Sequence, residues 1–278
     1  MKNSVVAFGF VVVTILVLAM LVTPALAITW GEPDSDNKYP NVGAMIVHVV
    51  GDGYFAIICS GTLIDSRVFL TAGHCTDYYY TLLAGDVIDD VYVSFDYDPS
   101  AATLKDVQQV ITHPDYNGFR PRSDPHDMGL LILEDPVTNI KPAQLPNVGF
   151  LDELKAGGVL RQGSNGAKFT VVGYGVGLQW PPPVFTPNNA RQFAESEYQA
   201  LLPAWLRMSQ NHATDNGGTC YGDSGGPAFY LWTKPDGTKI EVLVGITSWG
   251  DVPCVATGFN YRTDIPQTLS FINDNQPP

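Results

Sequence analysis

Gly217-Gly218-Thr219-Cys220-Tyr221-Gly222-Asp223-Ser224-Gly225-Gly226-Pro227 places a single serine among glycines, with an acid just before it and a cysteine four residues upstream. Glycines on both sides open backbone conformations closed to other residues, so two amides can point at one spot beside the hydroxyl. A nucleophilic serine needs that setting: an exposed Oγ, and backbone N–H donors aimed at the oxyanion that forms after attack. Whether the stretch is such a loop or only a glycine-rich turn depends on partners elsewhere in the chain.

Two other segments supply them. Thr71-Ala72-Gly73-His74-Cys75 carries a histidine, and Asp127-Met128-Gly129-Leu130-Leu131-Ile132-Leu133 is an acid heading an apolar run. The three segments resemble the active-serine loop GDSGGP, the histidine motif TAAHC (with Gly73 in place of one Ala) and the DIALLKL strand of chymotrypsin/trypsin-like serine proteases. The order His, Asp, Ser is that of chymotrypsin and not of subtilisin or the α/β-hydrolases. The resemblance implies a catalytic set of His74, Asp127 and Ser224, with the amides of Gly222 and Ser224 as the oxyanion hole. It implies no metal and no organic cofactor.

The first 27 residues read as a secretory signal: Lys2, an apolar run from Val5 to Val22, then Ala25 and Ala27 in a small-x-small cleavage pattern. The run is also long enough to compete as an anchor, since about 18 residues span a bilayer; Pro24 and the small residues favour cleavage. A cut after Ala27 makes Ile28 the first residue. Ile28-Thr29-Trp30-Gly31 resembles the IVGG start of activated family members, with Trp30 departing from a glycine. In that family the freed amino group pairs with the acid before the serine, here Asp223. The expectation is a secreted, extracellular enzyme whose processed form is active.

Short runs rich in Val, Ile, Tyr and Phe recur between Gly, Pro, Asn and Asp. They are 44–50, 55–58, 68–70, 91–95, 130–133, 169–172, 229–232 and 242–246. Few segments have helical periodicity, so the pattern is all-β. The resemblance sharpens this to two six-stranded antiparallel β-barrels packed face to face with the active site between them. The expected spans are 28–140 and 155–264 for the barrels, and 265–274 for a short C-terminal helix with Asp264 as N-cap and Pro266 at its start. The segment 139–166 reads as the crossing between barrels, the Pro-rich run 180–187 as a surface excursion, and 198–207 has no assignment.

The formal net charge is −13, and removal of the first 27 residues takes away only Lys2. This acidity argues against nucleic acid or anionic membrane surfaces as partners; protein or peptide substrates and a monomer are expected. Asp86, Asp89, Asp90, Asp96 and Asp98 fall where many relatives carry a calcium loop, though without that loop's paired glutamates.

Four cysteines allow three pairings. The resemblance pairs Cys59 with Cys75 and Cys220 with Cys254, the first worth about 3 kcal/mol by loop closure. It also places the substrate backbone along Ser248-Trp249-Gly250, with Gly250 and Gly258 on the walls of the specificity pocket and Gly218 at its floor. Lacking an acid at the floor, the pocket suits cleavage after Phe, Tyr, Leu or Met and not after Arg or Lys. The rival readings are a non-catalytic homologue acting as a binding module, and a processing protease or esterase with the same machinery.

Overall fold

The computed structural model describes residues 28–277 except 100–102, 119–122, 164, 180–181 and 188–189. The proposed signal segment and part of the Pro-rich run lie outside the described residues.

The first barrel closes in the order β2-β3-β4-β7-β6-β5. Its strands are β2 (Val42–Val49), β3 (Tyr54–Asp65), β4 (Val68–Thr71), β5 (Ile88–Ser94), β6 (Lys105–Thr112) and β7 (Gly129–Leu133). A 12-residue helix, α1 (Gly73–Ala84), follows β4 directly. β7 is buried along its whole length, which is why Gly-Leu-Leu-Ile-Leu reads as an unbroken apolar run.

The second barrel uses β8 (Lys168–Gly173), β11 (Gln192–Leu201), β12 (Trp205–Ser209), β13 (Pro227–Thr233), β14 (Lys239–Gly250) and β15 (Thr257–Arg262). Its order is β11-β12-β15-β14-β13-β8, and pairing of β8 with β11 closes it. A small hairpin, β9 (Gly177–Gln179) with β10 (Val184–Thr186), projects from it. All pairings in both barrels are antiparallel, and closure leaves each barrel without an open edge.

All eight apolar runs fall on strands, with only Val50 and Phe95 one residue beyond a strand end. Three expectations are corrected. The segment after Ile28 belongs to the second barrel: β1 (Glu32–Pro33) pairs with Phe193 and Gln192, and Thr29 bridges to Gly218. Between the barrels, residues Phe150–Ala156 form a helix, α2, inside the stretch read as a loose crossing. Asp264 does not cap the terminal helix α3 (Pro266–Asp274). Its N-cap is Ile265, without a side-chain bond, while the Asp264 carboxylate receives Arg262 and the Leu151 amide. A buried acid beside a buried guanidinium is stabilised more by that partner than by a helix end.

A buried ion pair joins the barrels. The Nε of Arg191 donates to Asp34 Oδ2 at 2.7 Å, and Nη1 donates to the carbonyls of Val42 and Phe95 and to the Tyr174 hydroxyl. Neither charged side chain is more than 1% exposed. The guanidinium thus ties the N-terminal segment, the first barrel and the end of β8 together.

Candidate active site

The register Thr71↔Gly129 between β4 and β7 sets the start of α1 beside the residue that precedes β7. His74 lies in the first turn of α1, where N–H groups have no partner within the helix. Ala72, the N-cap, offers no side-chain acceptor. Asp127 supplies one: its Oδ1 accepts the His74 amide at 2.8 Å. The same carboxylate faces His74 Nδ1 at 3.0 and 3.2 Å through its two oxygens. Gly73 packs closely here: a Cβ would stand 2.9 Å from the Met128 nitrogen and 3.1 Å from the Tyr116 ring, so a larger residue would shift its neighbours.

The second barrel completes the set. Ser248, on β14, donates its hydroxyl to Asp127 Oδ2. Asp127 is 2% exposed. Burial works against its ionisation, but the His74 imidazole, the Ser248 hydroxyl and the His74 amide outweigh that and hold the carboxyl below the usual range.

Ser224 comes from the turn between β12 and β13. The Ser60 amide donates to the Ser224 carbonyl at 2.8 Å, and the Ser60 hydroxyl to the Gly222 carbonyl at 3.0 Å. The serine turn is therefore pinned to β3 of the opposite barrel. Gly222 has φ +95°, and at Gly225 (φ +83°) a Cβ would fall 2.1 Å from Thr71 Oγ1. Only glycine meets both conditions. Among the described residues, neither the Gly222 nor the Ser224 amide is committed to another group. Ser224, Asp127, Ser248, Trp249 and Gly250 line one cavity of about 260 Å³.

Asp223 turns inward. Its Oδ1 accepts the Gly175 amide and its Oδ2 the Cys220 amide, each at 2.8 Å. Full burial pushes this carboxyl up to about 7, against the pull of those two N–H bonds. Thr29 exchanges backbone hydrogen bonds with Gly218, and Ile28 is completely buried in the apolar cluster of the second barrel. The segment that begins at Ile28 is thereby docked on the loop leading to Asp223.

Both disulfides join the expected partners, Cys59–Cys75 and Cys220–Cys254. The acids between Asp86 and Asp98 do not converge. Asp89 pairs with His48, Asp90 receives the Val91 amide and the Tyr92 hydroxyl, and Asp96 receives the Thr103 amide. The one grouping of three ligand-type side chains among the described residues is Cys59, Cys75 and His74, whose sulfurs form a disulfide.

The pocket differs from its expectation in one respect. Gly250, Ser248 and Trp249 line the cavity, whereas Gly218 and Gly258 face the side chain of Gln210. Two side-chain contacts are not signalled in the sequence. Gln210 has no motif around it, and Ser248 was read only for its backbone, although an SWG strand ending opposite the acid carries a hydroxyl within its reach.

A family model described as Trypsin matches residues 28–272. Mouse kallikrein-8 is 29% identical over 208 residues, covering 71% of this chain and 68% of its own. Rat glandular kallikrein-10 is 31% identical over 217 residues, covering 71% and 72%. The structure of neuropsin, a serine protease expressed in the limbic system of mouse brain, superposes with a TM-score of 0.61 at 24% identity, over 89% of this chain and 99% of that one.

Proposed function

Because this chain belongs to the trypsin family of serine proteases and is a serine-type endopeptidase, we propose that Ser224, His74 and Asp127 carry its reaction. Ser224 Oγ attacks the scissile carbonyl while His74 removes its proton; the C–N bond then breaks as His74 returns that proton to the leaving amine. Water, deprotonated by His74, hydrolyses the acyl-enzyme and restores Ser224. Asp127 keeps the imidazole in one orientation and stabilises its protonated form. The Gly222 and Ser224 amides hold the oxyanion, each donor worth about 3 kcal/mol in the transition state. These roles are those of the family; the observation that supports them here is the Asp127 carboxylate, bonded to both the amide and the ring of His74 beside the cavity that Ser224 lines.

Ile28 is the proposed first residue of the active form, its amino group paired with Asp223. Support comes from the buried, docked segment behind it and from a carboxyl that, among the described residues, is buried with two backbone amides and no cation beside it. Secretion is supported by the apolar run 5–22 and the Ala25-x-Ala27 pattern. The proposed substrates are proteins or peptides cut after a large uncharged side chain, because the pocket has no acid at its floor to meet a cation.

The experiment is cleavage-site mapping on a diverse peptide library with protein starting at Ile28, using Ser224→Ala as control. Cuts after Phe, Tyr, Leu or Met that vanish in the variant support the reading. Cuts chiefly after Arg or Lys contradict the pocket assignment, and cuts that persist in the variant contradict the nucleophile.

A further inference from the structure

Past the strand along which the resemblance lays the substrate, the cavity carries an acid. Asp127 and Asp251 are the two charged side chains among the residues that line it. Asp127 is 2% exposed and committed to His74 and Ser248. Asp251 directly follows β14 and is half-buried. Among the described residues, no lysine, arginine or histidine forms an ion pair with it.

Its carboxylate is fixed in place. Oδ1 accepts the Ala256 amide at 3.0 Å and the Thr257 amide at 2.7 Å, and Oδ2 accepts the Val255 amide at 3.0 Å. The Cys220–Cys254 disulfide staples the same loop to the serine turn. A carboxylate has about four acceptor positions, and these bonds leave one of them, on Oδ2. The neighbouring Val252 also lines the cavity and is 75% exposed. A fixed anion beside an open apolar side chain suits a long cationic side chain, whose stem packs on carbon while its head meets the acid.

The strand register says which substrate residue reaches it. β13 begins at Pro227 opposite Ile246, and the turn before it still reaches Thr247 through Gly225 and Gly226. From Ser248 to Gly250 that edge of β14 is unpaired among the described residues, while β15 takes the other edge. An extended peptide can add there as an antiparallel strand, the direction of the pairings already in the barrel. With its reactive carbonyl at Ser224, beside Thr247 and Ser248, the peptide runs back past Gly250 toward Asp251. Asp251 lies three positions beyond Ser248, so it meets a side chain two or three residues before the one that precedes the scissile bond.

We propose that Asp251 is a specificity-determining residue: its carboxylate receives a lysine or arginine two or three residues upstream of the side chain that precedes the scissile bond. The slot for that last side chain stays uncharged, because Asp251 follows Gly250 and the floor position, Gly218, carries no acid. An acidic residue at the upstream position is repelled. The formal net charge of −13 draws basic segments from further away. The inference rests on the proposed endopeptidase reading with Ser224 as nucleophile.

The test uses peptides with Phe before the scissile bond and Arg, Ala or Glu placed two or three residues ahead of it, with wild type and Asp251→Asn both starting at Ile28. A fluorophosphonate probe, which labels an activated serine whatever the substrate, runs in parallel. The expected result is cleavage after Phe, with kcat/KM favouring Arg over Ala by about fivefold and disfavouring Glu by a similar factor. That preference shrinks as salt is raised, and in Asp251→Asn the Arg-to-Ala ratio falls to near one. A ratio near one in a labelled wild type overturns the inference and leaves the endopeptidase reading standing. So does an undiminished ratio in labelled Asp251→Asn, or, where that variant does not fold, a wild-type ratio that salt does not move. Cuts after the Arg instead of the Phe overturn the inference together with the pocket assignment. No labelling of the wild type overturns both the inference and the nucleophile.

Discussion

Asp127 holds His74 twice, by the backbone amide at 2.8 Å and by the ring Nδ1 at 3.0 Å. One carboxylate therefore caps a helix and orients the imidazole that the same helix carries. The cap also fixes the carboxylate itself, so the orienting group and the oriented ring share one anchor.

The two functions separate on substitution. Asp127→Asn keeps an oxygen for the His74 amide but supplies the ring with the wrong partner. Turnover is expected to drop about 10⁴-fold, as in this family's template, with little change in melting temperature. Asp127→Ala also removes the cap, and is expected to lose about 1 kcal/mol of stability in addition. Thermal melts beside steady-state kinetics distinguish the two variants.

The proposed processing at Ile28 removes a pH dependence of stability that Asp223 otherwise creates. In a form that retains residues ahead of Ile28, the folded carboxyl keeps its proton up to about 7, while the unfolded one loses it near 4. The folded state then binds the extra proton between those values. Stability is greatest at the acid end of that window and is lost as pH rises through about 7. In protein starting at Ile28, the amino group favours the carboxylate and the slope disappears. Urea unfolding at pH 5 and pH 8 on both forms measures this, with Asp223→Asn expected to flatten the precursor's profile.

Arg191 and Asp34 predict a coupled pair. Arg191→Met leaves the buried Asp34 carboxylate with only the Lys38 and Tyr39 amides and no counter-charge from the guanidinium, and is expected to cost about 3–5 kcal/mol. Adding Asp34→Asn is expected to recover part of that loss, since the stranded charge is gone. Additive losses in a double-mutant cycle by chemical denaturation would contradict the coupling.

Much of this was readable in advance because chemistry and burial coincided in the chain. The serine, histidine and aspartate segments are short and rigid in their residue requirements, and strands such as β7 are buried on every side. The strands that escaped notice are those whose inward residues are polar. Along β11 the buried positions include Gln192, Ala194, Ser196 and Tyr198, and Ser196 is satisfied by the Gly217 carbonyl at 2.7 Å. β6 exposes Asp106, Gln108 and Gln109 and carries no apolar alternation. Gln210 was invisible for a different reason. The floor of the pocket is read two residues before the cysteine, at Gly218, whereas the space beside that glycine is taken by the Gln210 side chain from the end of β12, which no motif marks.

The central claim is that an acyl-enzyme forms on Ser224. Mixing protein that starts at Ile28 with an activated ester and following product on the millisecond scale tests it most directly. A burst equal to the enzyme concentration, followed by slower turnover and absent in Ser224→Ala, is the predicted result. Product release without a burst and equal in the two proteins would contradict the account.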